Sequence, residues 1–252
     1  MSRETRAGQP KYLRIAAELR AALERGDYQP GDRFPGENTL AADFEVAPLT
    51  MRQALGVLRN EGLVGSRKGA GWFVESFQPI RRRGIPRLAR DQWGSGKTIW
   101  SADDRRAPDV DQITVAEDVP PPQHISDMFE LGPGETVCVR SRRYVMEGRP
   151  VMLAASYLPQ SLVAGSPITQ ADTGPGGIYA RLADLGRPPA RFREEIRVRM
   201  PSAEEAARLA IPADRTVIKL ARTAFDGEGR AVEINEMALD SAAYVLDYEF
   251  DA

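Results

Sequence analysis

Hydrophobic positions recur with a helical period in the first part of the chain. Ile15, Ala16, Leu19, Ala22 and Leu23 follow the three-and-four spacing of an amphipathic helix, with Pro10 set as its first residue and Gly26 as its stop. The turn-rich stretch YQPGDRFP suits a short strand. A second helix is predicted from Gly36 to Phe44, with Leu40, Ala41 and Phe44 on one face. A third runs from Pro48 to about Glu61. Its apolar stripe is Met51, Ala54, Leu55 and Leu58, which leaves Thr50, Arg52 and Gln53 outside. Leu63 and Val64, then Trp72, Phe73 and Val74, read as two strands around a turn running from Arg67 to Gly71.

From Ser76 to Asp111 this periodicity dissolves into Pro, Gly, Arg and Asp, and IRRRGIPRLAR carries five arginines among eleven residues. A solvated linker and a set of extra phosphate contacts are both open readings of it. Further on, strands and helices alternate. QITVAEDV is strand-like, and PPQHISDMFEL is an amphipathic helix stopped by Gly132. TVCVRSRRYVM and PVMLAASYLP form a hairpin through Glu147, Gly148 and Arg149. GGIYARLADLG is a short helix, ARFREEIRVRM a strand and SAEEAARLAI a helix. TVIKLARTAF and AVEINEMAL make a second hairpin through DGEGR. The stretches ELGPGETVCVRSRRYVMEGRPV and RLAIPADRTVIKLARTAFDGEGRAV echo each other. Two such units side by side predict one antiparallel sheet with helices packed on it, an α+β domain. The expected division is therefore a head over residues 1–75, a linker over 76–111 and an α+β body over 112–252.

Composition narrows the function classes. The chain has 252 residues, 42% hydrophobic and 28% charged, as expected of a soluble protein with one large or two medium domains. One cysteine, Cys138, excludes a disulfide framework and a multi-thiolate metal site. One histidine, His124, leaves little for a His-rich metal centre or a Ser-His-Asp triad, so no metal, no cofactor and no enzymatic activity are expected. No apolar run approaches the roughly 20 residues of a membrane span and no signal peptide is visible, so a cytoplasmic protein is expected. The net charge of −2 hides an asymmetry, because residues 1–90 hold 16 basic and 10 acidic side chains. A basic head on an acidic body reads as a polyanion-binding domain joined to something else.

Helix, short helix, tight turn, helix and two-stranded hairpin is the winged helix-turn-helix order. The third helix can enter a DNA major groove by its N-terminal end. The glycines let the hairpin approach the duplex, where Arg67 and Lys68 neutralise phosphates or enter the minor groove. The stretch YLRIAAELRAALERGDYQPGDRFPGENTLAADFEV, followed by TMRQALGVLRNEGLV and KGAGWFV, resembles the DNA-binding domain of GntR-type bacterial transcription regulators, nearly continuously from Lys11 to Val74. The resemblance implies operator contacts at Asn38, at Pro48, Leu49 and Thr50, at Arg52, and at Lys68 and Gly69. Gln53 joins them on the exposed helix face. The sequence departs from the family pattern at Ala47, where Ser or Thr is usual, at Pro48 and Asn38, where Arg is usual, and at Glu45, often Gly. Arg52 is the candidate for base reading, since Arg pairs bidentately with guanine O6 and N7.

In the body, a period of two separates Val137, Val139 and Val145, which face helices, from Cys138, Arg140, Arg142, Tyr144 and Met146. On the second hairpin Val232, Ile234 and Ala238 share one face, and Glu233, Asn235, Met237 and Leu239 the other. Arginines aligned with a tyrosine and a carboxylate suit a pocket for a small anionic or polar ligand; a solvated sheet face is the alternative. In TGPGGIY, Gly176 and Gly177 open a helix and offer amides to a phosphate or carboxylate. GETVCVRSRRYVMEGRPVMLAASYLP, GGIYARLADLG and DGEGRAVEINEMAL resemble the UTRA effector-binding domain of the HutC subfamily of GntR regulators, from about Ile113 to Phe250. The resemblance implies a chorismate-lyase-like fold without catalysis, a homodimer, and a small-metabolite effector, phosphorylated or carboxylated. It implies ligand contacts at Arg140, Arg142, Gly177, Tyr179 and Glu233. Gly177, commonly Ser in sugar-phosphate binders, and Leu239, near which they carry Tyr, depart from that pattern. The expected function is a regulator of double-stranded operator DNA whose affinity a metabolite modulates; the alternative is a DNA-binding protein whose body only dimerises.

Overall fold

The computed structural model describes residues 9–67, 69–94, 96–97, 99–103 and 107–250. The chain divides into two compact units, Met1–Gln78 and Pro79–Ala252.

The first unit holds α1 (Lys11–Arg25), β1 (Arg33–Phe34), α2 (Glu37–Asp43), α3 (Pro48–Asn60), β2 (Val64–Arg67) and β3 (Gly71–Val74). Pro10 has φ −50° and ψ 140°, so it precedes the first helical residue rather than being it, and Gly26 ends α1 in the left-handed region. Arg33 and Phe34 pair with Phe73 and Trp72, which completes a three-stranded antiparallel sheet in the order β1-β3-β2. The expected apolar stripes meet in one core: Ile15, Ala16 and Leu19 of α1, Leu40 and Ala41 of α2, and Met51, Ala54, Leu55 and Leu58 of α3. Phe34, Val64 and Val74 close it from the sheet.

The second unit runs through β4 (Ile80–Arg83), α4 (Arg90–Gly94), β5 (Asp109–Val119), α5 (Gln123–Phe129), β6 (Val137–Met146) and β7 (Arg149–Pro159). It continues with α6 (Gln160–Val163), α7 (Gly177–Asp184), β8 (Arg191–Arg199), α8 (Ala203–Leu209), β9 (Val217–Phe225), β10 (Ala231–Asp240) and β11 (Tyr244–Asp247). Six strands form one antiparallel sheet in the order β5-β6-β7-β10-β9-β8. The internal echo is visible in that order. Each half is a strand, a helix and a hairpin, and the halves join where β7 pairs with β10.

Helices pack on both faces of the central strands, while the edge strands β5 and β8 are largely exposed. Helix α5 packs Ile125 on Val137, Val139 and Ile234, and α8 packs Leu209 near Leu153, Val217 and Ala238. The opposite face sets Cys138 and Leu158 against Trp93, Val163, Ile178, Tyr179 and Leu182. Val232 joins this second cluster and not that of Ile234, because a bulge between Ala231 and Glu233 shifts the alternation by one residue. Helix α5 also ends earlier than expected, at Glu130 in the left-handed region (φ 55°), two residues before Gly132.

The stretch expected as a linker departs most from its reading. From Ile80 onward it belongs to the second unit, and β4 pairs in parallel with β11. Arg82 and Arg87 are 1% exposed and Trp93 is 2% exposed. The buried positions of β4 alternate, but one is an arginine, so a search for apolar periodicity passes over it. Among the described residues no helix is long and apolar enough to cross a membrane.

Candidate functional site

In the first unit the candidate nucleic-acid residues gather at the start of α3, the start of α2 and the β2–β3 hairpin. Ala47 takes the extended N-cap conformation (φ −62°, ψ 143°) without a side-chain hydrogen bond, and Pro48 follows at the first helical position. Leu49 is 63% exposed, Gln53 and Asn38 are exposed, and Thr50 is half-buried. Arg52 extends from this face but is not unattached. Its Nε donates to Glu37 Oε2 at 3.0 Å and its Nη2 to Oε1 at 2.7 Å, a fork-to-fork pair between α3 and the first residue of α2. This hydrogen-bonded carboxylate raises the arginine's pKa further above an already high value. In the hairpin, Arg67 lies over the Phe73 ring at 4.4 Å, and the exposed Gly69 turns the chain with φ 76°. A residue with a side chain is disfavoured there, since that φ suits glycine. Lys68, also expected at this tip, lies outside the described residues.

In the second unit, β6, β7, β10 and β9 form the floor of a cavity of about 240 Å³. Arg142, Tyr144, Gly176, Gly177, Tyr179 and Glu233, all expected ligand contacts, line it. Arg140 does not. It is 2% exposed, and its guanidinium donates to the backbone carbonyls of Ile168, Gln170 and Ala171, which ties down the segment after α6. A buried guanidinium needs acceptors, and the carbonyls of an irregular segment supply them.

The two glycines need a similar correction. The Gly176 amide donates to Gly96 O and the Gly177 amide to Gly174 O, both at 3.1 Å, so neither is left for an anion. The first turn of α7 still carries amides without intrahelical acceptors, and Ile178 and Tyr179 supply two of them. Gly176 is fixed by space: a Cβ there would come within 2.7 Å of the Trp93 carbonyl and 2.5 Å of Ala180 Cβ. At Gly177 a Cβ would meet nothing within 4 Å.

Several lining residues were not anticipated: Arg82, Arg87 and Trp100 from the supposed linker and Arg222 from β9; Asn235 lines the cavity from the β10 face that period two gave to Glu233. Arg222 did carry a signal. Counting from the matching Thr-Val of the two echoed strands, it occupies the position that Arg142 holds in the first.

The charges are differently compensated. Arg82 grips Glu194 with two N–H groups, and Arg222 Nε donates to the same carboxylate at 2.9 Å. Tyr248 adds its hydroxyl at 2.5 Å. Burial opposes the charge on Glu194, but Arg82, Arg222 and Tyr248 together hold its pKa down at about 2. Arg222 Nη1 donates to the Tyr179 hydroxyl at 3.2 Å. Arg87 stacks over Trp100 at 4.5 Å and reaches Asp103 only at 3.4 Å. Burial, then the charges of Arg82 and Arg222, push its pKa down to about 9. Among the described residues, Arg87 Nε and Nη1 have no hydrogen-bond acceptor, and neither does Arg142 Nε. The other arm of Arg142 donates to Ser156 Oγ. Of the acceptors, Glu233 Oε2 and Asn235 Oδ1 are buried without a donor among the described residues. The cavity thus holds single guanidinium N–H groups and side-chain oxygens without a hydrogen-bond partner among the described residues.

Comparison with known proteins bears on both sites. Residues 11–74 match the family of bacterial regulatory proteins named for gntR, and residues 107–244 match the UTRA domain. An uncharacterised HTH-type transcriptional regulator of Streptomyces coelicolor is 30% identical over 250 residues, covering 96% of this chain and 93% of that protein. The HTH-type transcriptional repressor NagR of Bacillus subtilis is 25% identical over 226 residues, covering 89% and 88%. A crystal structure described as a GntR-family transcriptional regulator superimposes with a TM-score of 0.61 at 25% identity, over 97% of this chain and 98% of the other. PhnF from Mycobacterium smegmatis shares the fold, with a TM-score of 0.55 at 24% identity over 94% and 99%.

Proposed function

The chain belongs to the GntR family of DNA-binding transcription regulators and carries a UTRA ligand-binding domain, and on that premise we propose that a small anionic metabolite in the arginine-lined cavity modulates its operator affinity. It is a regulator, not an enzyme. The reading takes the chain as a cytoplasmic homodimer that grips a two-fold operator, each head entering the major groove with the start of α3. Asn38, Leu49, Thr50, Arg52 and Gln53 face the bases and phosphates, and the hairpin with Arg67, Lys68 and Gly69 follows the backbone.

The observation that carries the ligand half of this reading is Arg142. It lines the cavity, one of its buried N–H groups has no acceptor, and no carboxylate among the described residues lies within salt-bridge distance of it. An unpaired guanidinium in a recess is costly in the absence of an anion, and its fork geometry suits phosphate or carboxylate. Arg87 and Trp100 supply a route for the response. They lie in the stretch that follows the DNA-binding unit in sequence, so a ligand held by them biases the residues leading out of that unit. Coupling of this kind requires a ligand that favours one arrangement over the other, typically by about 1–3 kcal/mol.

Thermal unfolding with inorganic phosphate and with short carboxylates tests the cavity. The parent protein is expected to be stabilised by at least one of them, and Arg142→Ala to lose that stabilisation. Arg143→Ala, whose guanidinium pairs with Asp111 instead, keeps it. A stabilisation that survives Arg142→Ala puts the anion elsewhere. A gel shift on the DNA upstream of the chain's own gene, at low salt, tests the head.

A further inference from the structure

Three acids of the second unit that are withdrawn from solvent share one arrangement, and even Asp103, with a side chain 2% exposed, has the Arg87 guanidinium at 3.4 Å. Asp226, 5% exposed, lies 3.1 Å from Arg187 and 3.4 Å from Arg230. Asp240, 0% exposed, is bridged by Arg149 and Arg215. Glu194 sits between Arg82 and Arg222. Each of these three carboxylates has two guanidinium partners, as a charge in a low-dielectric interior requires. Glu233 is 1% exposed and has no guanidinium within salt-bridge distance among the described residues; the Tyr179 hydroxyl bonds to its carboxylate, but its Oε2 accepts no hydrogen bond.

Arginines are not lacking nearby; they are committed. Arg140, whose charge the Glu233 carboxylate feels, spends its terminal N–H groups on the carbonyls of Ile168, Gln170 and Ala171. Arg222 is engaged by Glu194 and by the Tyr179 hydroxyl. Glu233 lines the cavity, and so does Asn235, whose Oδ1 is likewise buried without a donor. Two acceptors, one of them anionic, therefore stand ready beside each other on β10, while Arg142 and Arg87 hold unsatisfied donors that line the same cavity.

We propose that the ligand of this cavity is a small zwitterion-like metabolite, with a protonated nitrogen that pairs with Glu233 and Asn235 and an anionic group that pairs with Arg142 and Arg87. The proposal rests on the reading of the cavity as an anion site and adds the ligand's second pole. A hydroxyl group would give Glu233 Oε2 a hydrogen bond but no adjoining counter-charge; an ammonium, amidinium or imidazolium gives both.

Paired probes separate the two cases. β-Alanine, γ-aminobutyrate and phosphoethanolamine are each compared with the counterpart in which a hydroxyl replaces the amine, by thermal unfolding and calorimetric titration, on the parent protein and on Glu233→Gln. At least one amine is expected to bind about tenfold or more tightly than its hydroxyl counterpart, and Glu233→Gln to erase that difference. Glutamine is close in size and still offers an acceptor, so loss of discrimination reports the charge and not the shape. The proposal falls if hydroxyl compounds or inorganic phosphate bind as well as the amines, or if Glu233→Gln keeps the preference. In that event, binding that still depends on Arg142 leaves the anion reading standing. If no probe binds at all, the zwitterion and the anion reading fall together.

Discussion

Arginine does two different jobs in the two units of this protein, and the difference lies in the solvent around it. In the first unit Arg52 and Arg67 are exposed, one held by a carboxylate at the start of α2 and the other laid over an aromatic ring. Solvent screens both, so in the proposed DNA contact each would exchange a weak, screened partner for a phosphate or a base edge. In the second unit Arg82, Arg87, Arg140 and Arg222 are all 2% exposed or less. There every N–H must find an acceptor in the protein or in a ligand. The exposed arginines can therefore be exchanged between partners at little cost, and their effects fade with salt. The buried ones fix one geometry.

The contrast breaks first at Glu194, where the largest effect is expected. Glu194→Ala removes the carboxylate shared by Arg82 and Arg222 and leaves two buried guanidiniums facing each other. A loss of about 3–5 kcal/mol in urea unfolding is expected, the usual result of stripping one partner from a buried pair. The same removal of the half-buried Glu37 from the exposed Arg52 is expected to change stability by less than about 1 kcal/mol. Equal losses at the two sites would erase the distinction between buried and exposed arginines.

Acid makes the same comparison without mutation. The Glu194 carboxyl is held at about 2, well below its ordinary value of 4.5. A carboxylate depressed in the folded state contributes stability that is complete above the ordinary value and lost as pH falls through the folded one. Stability of the second unit is therefore expected to decline from about pH 4.5 towards pH 2, and Glu194→Gln to flatten that part of the curve. An unchanged acid limb in the variant would show that other carboxylates govern it.

Elements built on apolar periodicity were legible in the sequence, and elements built on charge were not. All three helices of the head, the hairpin and the six-stranded sheet follow from stripes such as Met51, Ala54, Leu55 and Leu58, or from alternation such as Val137 against Cys138. The segment from Ile80 to Asp103 escaped because its inward residues include Arg82 and Arg87, which a hydrophobic pattern counts as outward. For the cavity, residues on the sheet face were found from period two. Arg140 shares that alternation and yet leaves the cavity, because its partners are carbonyls of a remote irregular segment. No local pattern announces a partner about 30 residues away. Arg222 was within reach, through the echo with Arg142.

On the DNA side smaller effects are expected, and they sharpen the comparison. Arg52→Ala is expected to cost about 1–3 kcal/mol of operator affinity and to relax preference at one base pair. Glu37→Gln releases the same side chain and strengthens binding to non-specific DNA modestly, since Arg52 no longer has to leave a carboxylate. Arg67→Ala weakens all sequences alike and lowers the slope of log affinity against log salt by about one. Binding isotherms at several salt concentrations separate the two classes. Ligand binding in the cavity should hardly vary across the same salt range, because buried pairs are poorly screened.

The smallest expected effect concerns helix starts, where the two units again differ. In the second unit α8 opens with a complete capping box: the Glu205 amide donates to Ser202 Oγ at 3.1 Å and the Ser202 amide to Glu205 Oε2 at 2.8 Å. In the first unit α3 opens at Ala47, which has the N-cap backbone but no side-chain acceptor, and Pro48 only pre-sets the first turn. Ala47→Ser supplies the acceptor at a position whose φ and ψ already suit it, so the head should gain about 1 kcal/mol. Ser202→Ala should cost the second unit a similar amount. The pair is informative because the gain at Ala47 lies beside the proposed DNA-reading face. If Ala47→Ser stabilises the head but weakens operator binding, the amides at the start of α3 were serving DNA phosphates, and a serine hydroxyl now competes for them. If it raises stability and leaves affinity untouched, those amides are not part of the contact, and the face that reads DNA is centred further along α3, at Arg52 and Gln53.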